Sequence, residues 1–266
     1  MIQAVRILLL LLFIAGCGGN DDVTPPPSNP DRFLFDRGTE ALKERKWLNA
    51  REYFRQVVDN YPNSPLRADA KIGIGDSYLG EHTAETLVLA DNEFREFLTF
   101  YPTHPRADYA QYKLAMSHFE QMRSKDRDQT ETIEALEEFQ VFFTRFPNSP
   151  LMPEVREKWR IARDRLSDHH LDVAITYYRI NWCRGAEPRL REVLKEDPEF
   201  THRDSVYFYL AGCLGRDDPS FNAETLVARK AEAAAYYGRL VKEFVESEHL
   251  EEAKERVQAL GAVKAH

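Results

Sequence analysis

The residues most able to do covalent chemistry in this chain are three cysteines, Cys17, Cys183 and Cys213. Cys17 stands directly after Ile14-Ala15-Gly16, at the end of an apolar run from Ile7 to Ile14 that Arg6 precedes. A positive residue, a short apolar segment and small residues before a cleavage point read as an export signal. A cysteine immediately after Ala-Gly fits a bacterial lipobox, in which a lipid transferase modifies the thiol and a dedicated peptidase leaves it as the first residue. The competing reading is an ordinary secretory signal with an incidental cysteine. The apolar run is too short to span a membrane comfortably. Several acyl chains, at roughly 0.8 kcal/mol per buried CH₂, would anchor the chain firmly. Gly18 stands where an aspartate would mark inner-membrane retention, which favours the outer membrane. Cys183 and Cys213 can pair in an oxidising compartment or stay apart as small buried apolar residues. Their spacing leaves both open.

The remaining reactive side chains do not assemble into a catalytic set. The eight histidines are scattered, and His169-His170 is the one adjacent pair. Neighbouring residues on a helix point to different faces, so that pair does not favour one metal ion, and no metal site is expected. Carboxylate pairs such as Glu137-Glu138 and Glu251-Glu252 read as solvated helix faces. No phosphate-binding glycine loop, zinc-protease motif or nucleophile elbow occurs. The expectation is a non-enzyme with no cofactor beyond lipid on Cys17. The net charge of -8 and the lack of a basic block argue against nucleic acid as a partner.

What must position any binding residue is a repeat. Ala90, Phe94, Phe97, Leu98 and Tyr101 follow the spacing of one buried helical face, and Pro102 stops that helix. The pattern recurs before Pro62, Pro147 and Pro198, at steps of 40, 45 and 51 residues. Twelve residues before each proline stand Ala50, Ala90, Ala135 and Ala186; eight before stand Phe54, Phe94, Phe139 and Leu190. Five before stand Val57, Phe97, Phe142 and Val193. A fifth copy, Ala233, Tyr237, Leu240, Val241 and Phe244, has Val245 in place of proline. A second helix follows each stop, with Ile74, Leu114 and Leu210 twelve residues on. One such hairpin cannot bury its apolar face alone, so hairpins stack. The fold class expected is all-α, about five helical hairpins in a right-handed solenoid.

Residues 1–16 form the signal peptide and 17–30 a lipidated, proline-rich linker. N-terminal repeats occupy 31–150, and a long helix with the C-terminal repeats occupies 151–266. Phe35, Ala41 and Leu42 are the expected core of the first helix, with Gly38 at a close contact. Ser64 is expected to cap the helix after Pro65. The long helix is expected to run from Leu151 to about Arg184-Gly185. The concave face of stacked hairpins binds extended peptides, and Arg67, Lys71, Tyr78, Arg106 and Tyr109 are candidates to line it.

The lipobox, Tyr61-Pro62-Asn63-Ser64-Pro65, Tyr101-Pro102-Thr103-His104-Pro105, the Asp126-Arg127-Asp128-Gln129-Thr130 loop and Tyr177-Tyr178 occur in an order that resembles the BamD family. These are the tetratricopeptide-repeat lipoproteins of the outer-membrane β-barrel assembly machinery. The resemblance covers about residues 31 to 260, and Trp182-Cys183 departs from it. It implies a scaffold at the periplasmic face of the outer membrane that aids folding and insertion of β-barrel proteins. Its partners would be the periplasmic domains of the barrel subunit and unfolded outer-membrane precursors. It also implies that Arg127, Asp128 and Gln129 meet partners, and that Arg189, nine residues before Pro198, docks the barrel subunit. The alternative is another periplasmic repeat lipoprotein that coordinates cell-envelope or peptidoglycan synthesis.

Overall fold

The structure, a computed structural model, describes residues 28–262. Cys17, the signal segment and most of the linker lie outside them. Among the described residues there are eleven α-helices and no strand. They are α1 (Pro30–Lys43), α2 (Trp47–Asn60), α3 (Arg67–Glu81), α4 (Ala84–Phe100), α5 (Ala107–Phe119), α6 (Thr130–Arg145), α7 (Met152–Arg179), α8 (Cys183–Glu196), α9 (Arg203–Leu214), α10 (Ala223–Glu243) and α11 (Leu250–Ala262). Each helix packs on the next, and α1, α3, α5, α7 and α9 also touch one another in series. The odd-numbered helices therefore form the inner layer of a row of five hairpins, with α11 closing the end.

The repeat register predicts the core. Ala50, Ala90, Ala135, Ala186 and Ala233 are fully buried, as are Phe94, Phe97, Phe139 and Phe142. Small residues admit these rings. A methyl group on Gly38 of α1 would lie 2.8 Å from the Phe54 ring, and one on Gly73 of α3 only 2.5 Å from it. Phe54 is thus held between two glycine surfaces from successive inner helices. In α1 the buried residues are Leu34, Gly38 and, as expected, Ala41, while Phe35 and Leu42 only pack against the core from its edge. Those two were expected inside; α1 has a single neighbouring hairpin and buries a narrower stripe.

The helix stops share one backbone shape. Tyr61, Tyr101, Phe146 and Asp197, each before a proline, have φ between -125° and -138°. Phe244 has φ -130° although Val245 follows it, so the fifth stop forms without proline. Ser64 does not cap α3 as expected. Its Oγ accepts from Leu66 N–H at 3.1 Å and donates to Asp31 Oδ2 at 2.6 Å, tying the turn to the preceding hairpin.

α7 is long because it serves two cores. Val155, Met152 and Trp159 pack with Phe139 and Phe142, whereas Leu171 and Ala174 pack with α8 to α11. Between them runs a buried polar seam. Asp197 accepts from Arg160 at 2.8 and 2.6 Å and from Ser167 at 2.6 Å. The helix ends at Arg179, earlier than expected, and Asn181 (φ 63°) turns the chain. Gly185 lies inside α8, where the Trp182 and Tyr177 rings occupy the space a side chain would need. Cys183 at the start of α8 and Cys213 near the end of α9 form a disulfide, with Cα atoms 5.3 Å apart. They stand on consecutive helices of neighbouring hairpins.

Candidate docking surfaces

The five groove candidates separate into two groups. Arg106 and Tyr109 belong to one cluster on the inner layer. The Arg106 guanidinium lies 4.6 Å from the Tyr109 ring centre and donates to Asp69 at 3.1 Å. Tyr109 donates to Asp76 at 2.9 Å, across α3 and α5. Burial, reinforced by the neighbouring Asp76 carboxylate, holds the Tyr109 hydroxyl protonated far above the usual phenol range. Lys113, one turn on from Tyr109 and 5.3 Å from its ring centre, completes the cluster. Sequence reasoning missed Lys113, although its i+4 spacing from Tyr109 was a usable signal.

The other three point into hairpin interfaces. Lys71 is buried between Glu93 at 3.0 Å and Glu96 at 2.9 Å, both from α4. Tyr78 is buried beneath Arg51, and its hydroxyl accepts from Arg55 at 2.5 Å, both arginines coming from α2. Arg67 donates to Val58 O at 3.1 Å and to Tyr101 Oη at 3.0 Å. Their polar atoms hold the array together and are not offered to a peptide.

The 122–129 loop is built around Gln129. This side chain is buried, donates to Ser124 O and Arg127 O, both at 2.9 Å, and accepts from Thr132 Oγ1 at 2.9 Å. Gln129 shapes the loop, against the expectation that it meets a partner. Asp128 caps Thr130 N–H at 3.0 Å, and Arg127 is exposed with only Asp126 nearby, at 3.6 Å. His169 on α7 lies 2.6 Å from Lys125 O, and Lys125 pairs with Asp172 at 3.0 Å, so the loop lies along the long helix.

A second, half-buried network joins α4, α5 and α6. His118 lies 3.0 Å from Asp91 and 2.8 Å from Glu131. Arg95 bonds Asp91 at 3.1 Å and Glu138 at 2.8 Å. Burial pushes the His118 imidazole down, but its two carboxylate partners outweigh this and hold it above its ordinary value. Among the described residues no group of His, Cys, Asp and Glu is arranged to hold a metal ion.

Arg189, on α8, differs from the arginines above. Its guanidinium lies 5.1 Å from the Tyr177 ring centre and makes no ion pair among the described residues. Between the N-terminal and C-terminal cores a cleft of about 530 Å³ opens, floored by Phe143, Met152 and Trp159 and edged by Arg156 and Glu199.

Stacked hairpins with an internally neutralised framework and a few uncommitted cations define a helical-repeat scaffold. The chain belongs to the YfiO family of outer membrane lipoproteins, whose family model matches residues 27–211. It is similar to the outer membrane protein assembly factor BamD of Caulobacter vibrioides, 27% identical over 209 residues that cover 77% of this chain and 67% of that protein. It is also similar to the BamD of Vibrio cholerae, 26% identical over 209 residues, covering 74% and 84% respectively. Among solved structures it is similar to a thermophilic TPR protein of Thermus thermophilus, with 13% identity and a TM-score of 0.36, covering 86% of this chain and 98% of that one. The family match ends within α9, two residues before Cys213.

Proposed function

We propose that this chain is a non-enzymatic scaffold for outer-membrane protein assembly, held at the periplasmic face of the outer membrane by lipid on Cys17. The family match, unbroken from α1 into α9, carries this reading. In it, the C-terminal hairpins dock periplasmic domains of a barrel subunit, and the N-terminal hairpins meet unfolded β-barrel precursors. Arg189 supports the docking half, because its charge is not spent inside the fold. The Arg106–Tyr109–Lys113 cluster, with Asp69 and Asp76 beside it, offers the precursors a polar surface, and the cleft offers an apolar one.

An exposed ion pair contributes about 0–1 kcal/mol, whereas losing one member of a desolvated interfacial pair costs roughly 2–5 kcal/mol. Arg189→Glu should therefore weaken binding to the barrel subunit's periplasmic domains by the larger amount, with circular dichroism unchanged. An unaltered dissociation constant at two salt concentrations would remove Arg189 from the interface. In the same preparation Cys17→Ala should release the chain from the membrane fraction; sedimentation with outer membrane after salt washing would sink the lipid-anchor reading.

A further inference from the structure

Trp182 stands in the turn between α7 and α8, and the same turn joins α1 to α2. In the first turn Arg45 is the left-handed residue (φ 58°) and Lys46 N–H donates to Ala41 O at 2.9 Å. In the second turn Asn181 is left-handed (φ 63°) and Trp182 N–H donates to Tyr177 O at 2.8 Å. Trp182 is therefore the counterpart of Lys46, and Cys183 the counterpart of Trp47. At the first turn the lysine faces water, while Trp47 turns inward and covers Gly80. At the second turn the inward place belongs to Cys183, bonded to Cys213 on α9, and the indole takes the outward place. Trp182 is 51% exposed, next to Ile180 at 65%.

This exposed indole is held still. The Tyr177 ring stands nearly perpendicular to it with ring centres 4.7 Å apart, and the bare backbone of Gly185 leaves room for it. The disulfide fixes the next residue in the chain. Rigid exposed aromatics serve as interface anchors because little entropy is lost when they are covered. The same Tyr177 ring carries the Arg189 guanidinium, 5.1 Å from its centre, so indole, phenol and guanidinium form one contiguous cluster. Arg216, 4.2 Å from the Tyr178 ring centre, bonds Asn181 Oδ1 and Tyr178 O in the same turn and makes no ion pair among the described residues.

We propose that Trp182 is the anchor of the docking surface, entering an apolar pocket on the barrel subunit whose rim carries a carboxylate for Arg189. This rests on the docking reading above. Charge favours a protein here over a lipid surface: a chain of net charge -8 is repelled by an anionic bilayer, while Arg189 and Arg216, neither in an ion pair among the described residues, complement an acidic rim.

The test uses the full chain in phosphatidylethanolamine–phosphatidylglycerol vesicles, with the periplasmic domains of the barrel subunit from the same genome as probe. Trp182→Ala should weaken binding at least about 30-fold, the loss typical of an anchor residue, and Trp182→Phe should recover part of it. With Trp47→Phe and Trp159→Phe leaving one indole, iodide quenching of Trp182 should fall only when the probe is added. Wild-type affinity for Trp182→Ala, beside lost affinity for Arg189→Glu, would overturn the anchor and leave the docking reading intact. No binding by the unmodified chain would overturn both. Quenching that is already low in vesicles without the probe would assign the indole to lipid and overturn the proposal.

Discussion

Asp197 is the residue whose replacement tests the architecture most directly. The other helix stops carry Tyr61, Tyr101, Phe146 and Phe244 at this place, and their rings pack into the array. Asp197 instead sits with its side chain 2% exposed, gripped by both Arg160 nitrogens and by Ser167. Asp197→Asn keeps the shape and removes the charge. Breaking a buried pair by one partner costs roughly 3–5 kcal/mol. The Arg160 side chain is 26% exposed and keeps Asp164 at 2.8 Å, so water and that second carboxylate absorb part of the loss. The expected cost is therefore at the low end, about 3 kcal/mol. For a chain of this size that lowers the melting temperature by roughly 6–12 °C.

The pH dependence follows from the same contacts. Burial pushes the Asp197 carboxyl up, but the hydrogen bonds from Arg160 and Ser167 bring it below its ordinary 3.8. A depressed folded value means the stabilisation is present above pH 3.8 and is lost as pH falls through the folded value. The difference between wild type and Asp197→Asn should shrink in acid. Replacing the pair together, Arg160→Met with Asp197→Leu, should cost much less than the single change, because no buried charge is left alone. Amide exchange reports the location: protection should drop in the second half of α7 and in α8. A cost under about 1 kcal/mol, or a loss of protection spread evenly over the array, would refute the seam as the joint between the two cores.

Three further outcomes are expected. Phe94→Ala or Phe139→Ala, each removing a fully buried ring, should cost roughly 3–5 kcal/mol and raise amide exchange in the adjoining helices; unchanged protection there would sink the stacked-hairpin packing. His118, held above its ordinary 6.5, stabilises the α4–α5–α6 network below that pH and loses this contribution as pH rises through its folded value. Its own titration by NMR should therefore fall above 6.5, and His118→Gln should flatten the stability profile from neutral to mildly alkaline pH. Val245→Pro should stabilise by about 0.4–1 kcal/mol, since Phe244 already has the backbone that precedes a proline and the Val245 side chain is exposed; a lower melting temperature would show that this turn differs from its relatives.

The hairpins were legible because helix period, small residues and proline stops coincide at the same positions in four copies. Even the degenerate copy from Ala233 to Phe244 buries Ala233, Tyr237 and Leu240 as the register demands. The groove was much less legible, and α3 shows why. Ala68, Ala70, Lys71, Ile72, Gly73, Ile74, Gly75, Ser77 and Tyr78 are all buried, so nearly its whole circumference is covered. An inner helix of a solenoid has no polar side to distinguish, and a cation such as Lys71 can face its hairpin partner as readily as the concave surface. The Arg160–Asp197 seam joins residues 37 apart whose proximity depends on how α7 and α8 cross. Asp197 carried a visible anomaly, a carboxylate in an aromatic column, but nothing in its neighbours named the partner.

The turns explain how so irregular a spacing still gives one array. Ser64, Ser149 and Ser247 stand at the same place in their turns, and each donates at 2.6 Å to an aspartate near the start of an earlier inner helix, Asp31, Asp108 and Asp204 respectively. Each serine also accepts from a backbone N–H two residues on, at 3.1 to 3.2 Å. The turn is thereby locked internally and fastened to the preceding hairpin by a charge-assisted bond. Where His104 replaces the serine, Arg106 reaches Asp69 at 3.1 Å and restores the connection by another route. In the fourth turn, which has Phe200 there, Thr201 bonds Asp164 at 3.0 Å. All five turns are therefore tied back, whether or not a proline or a serine is present. Register is set at this fastening, between one turn and the previous inner helix. What lies between successive fastenings is then free to vary: the 45-residue repeat carries the 120–129 loop and the 51-residue repeat the 28-residue α7, yet both stack in one continuous layer with the 40-residue one.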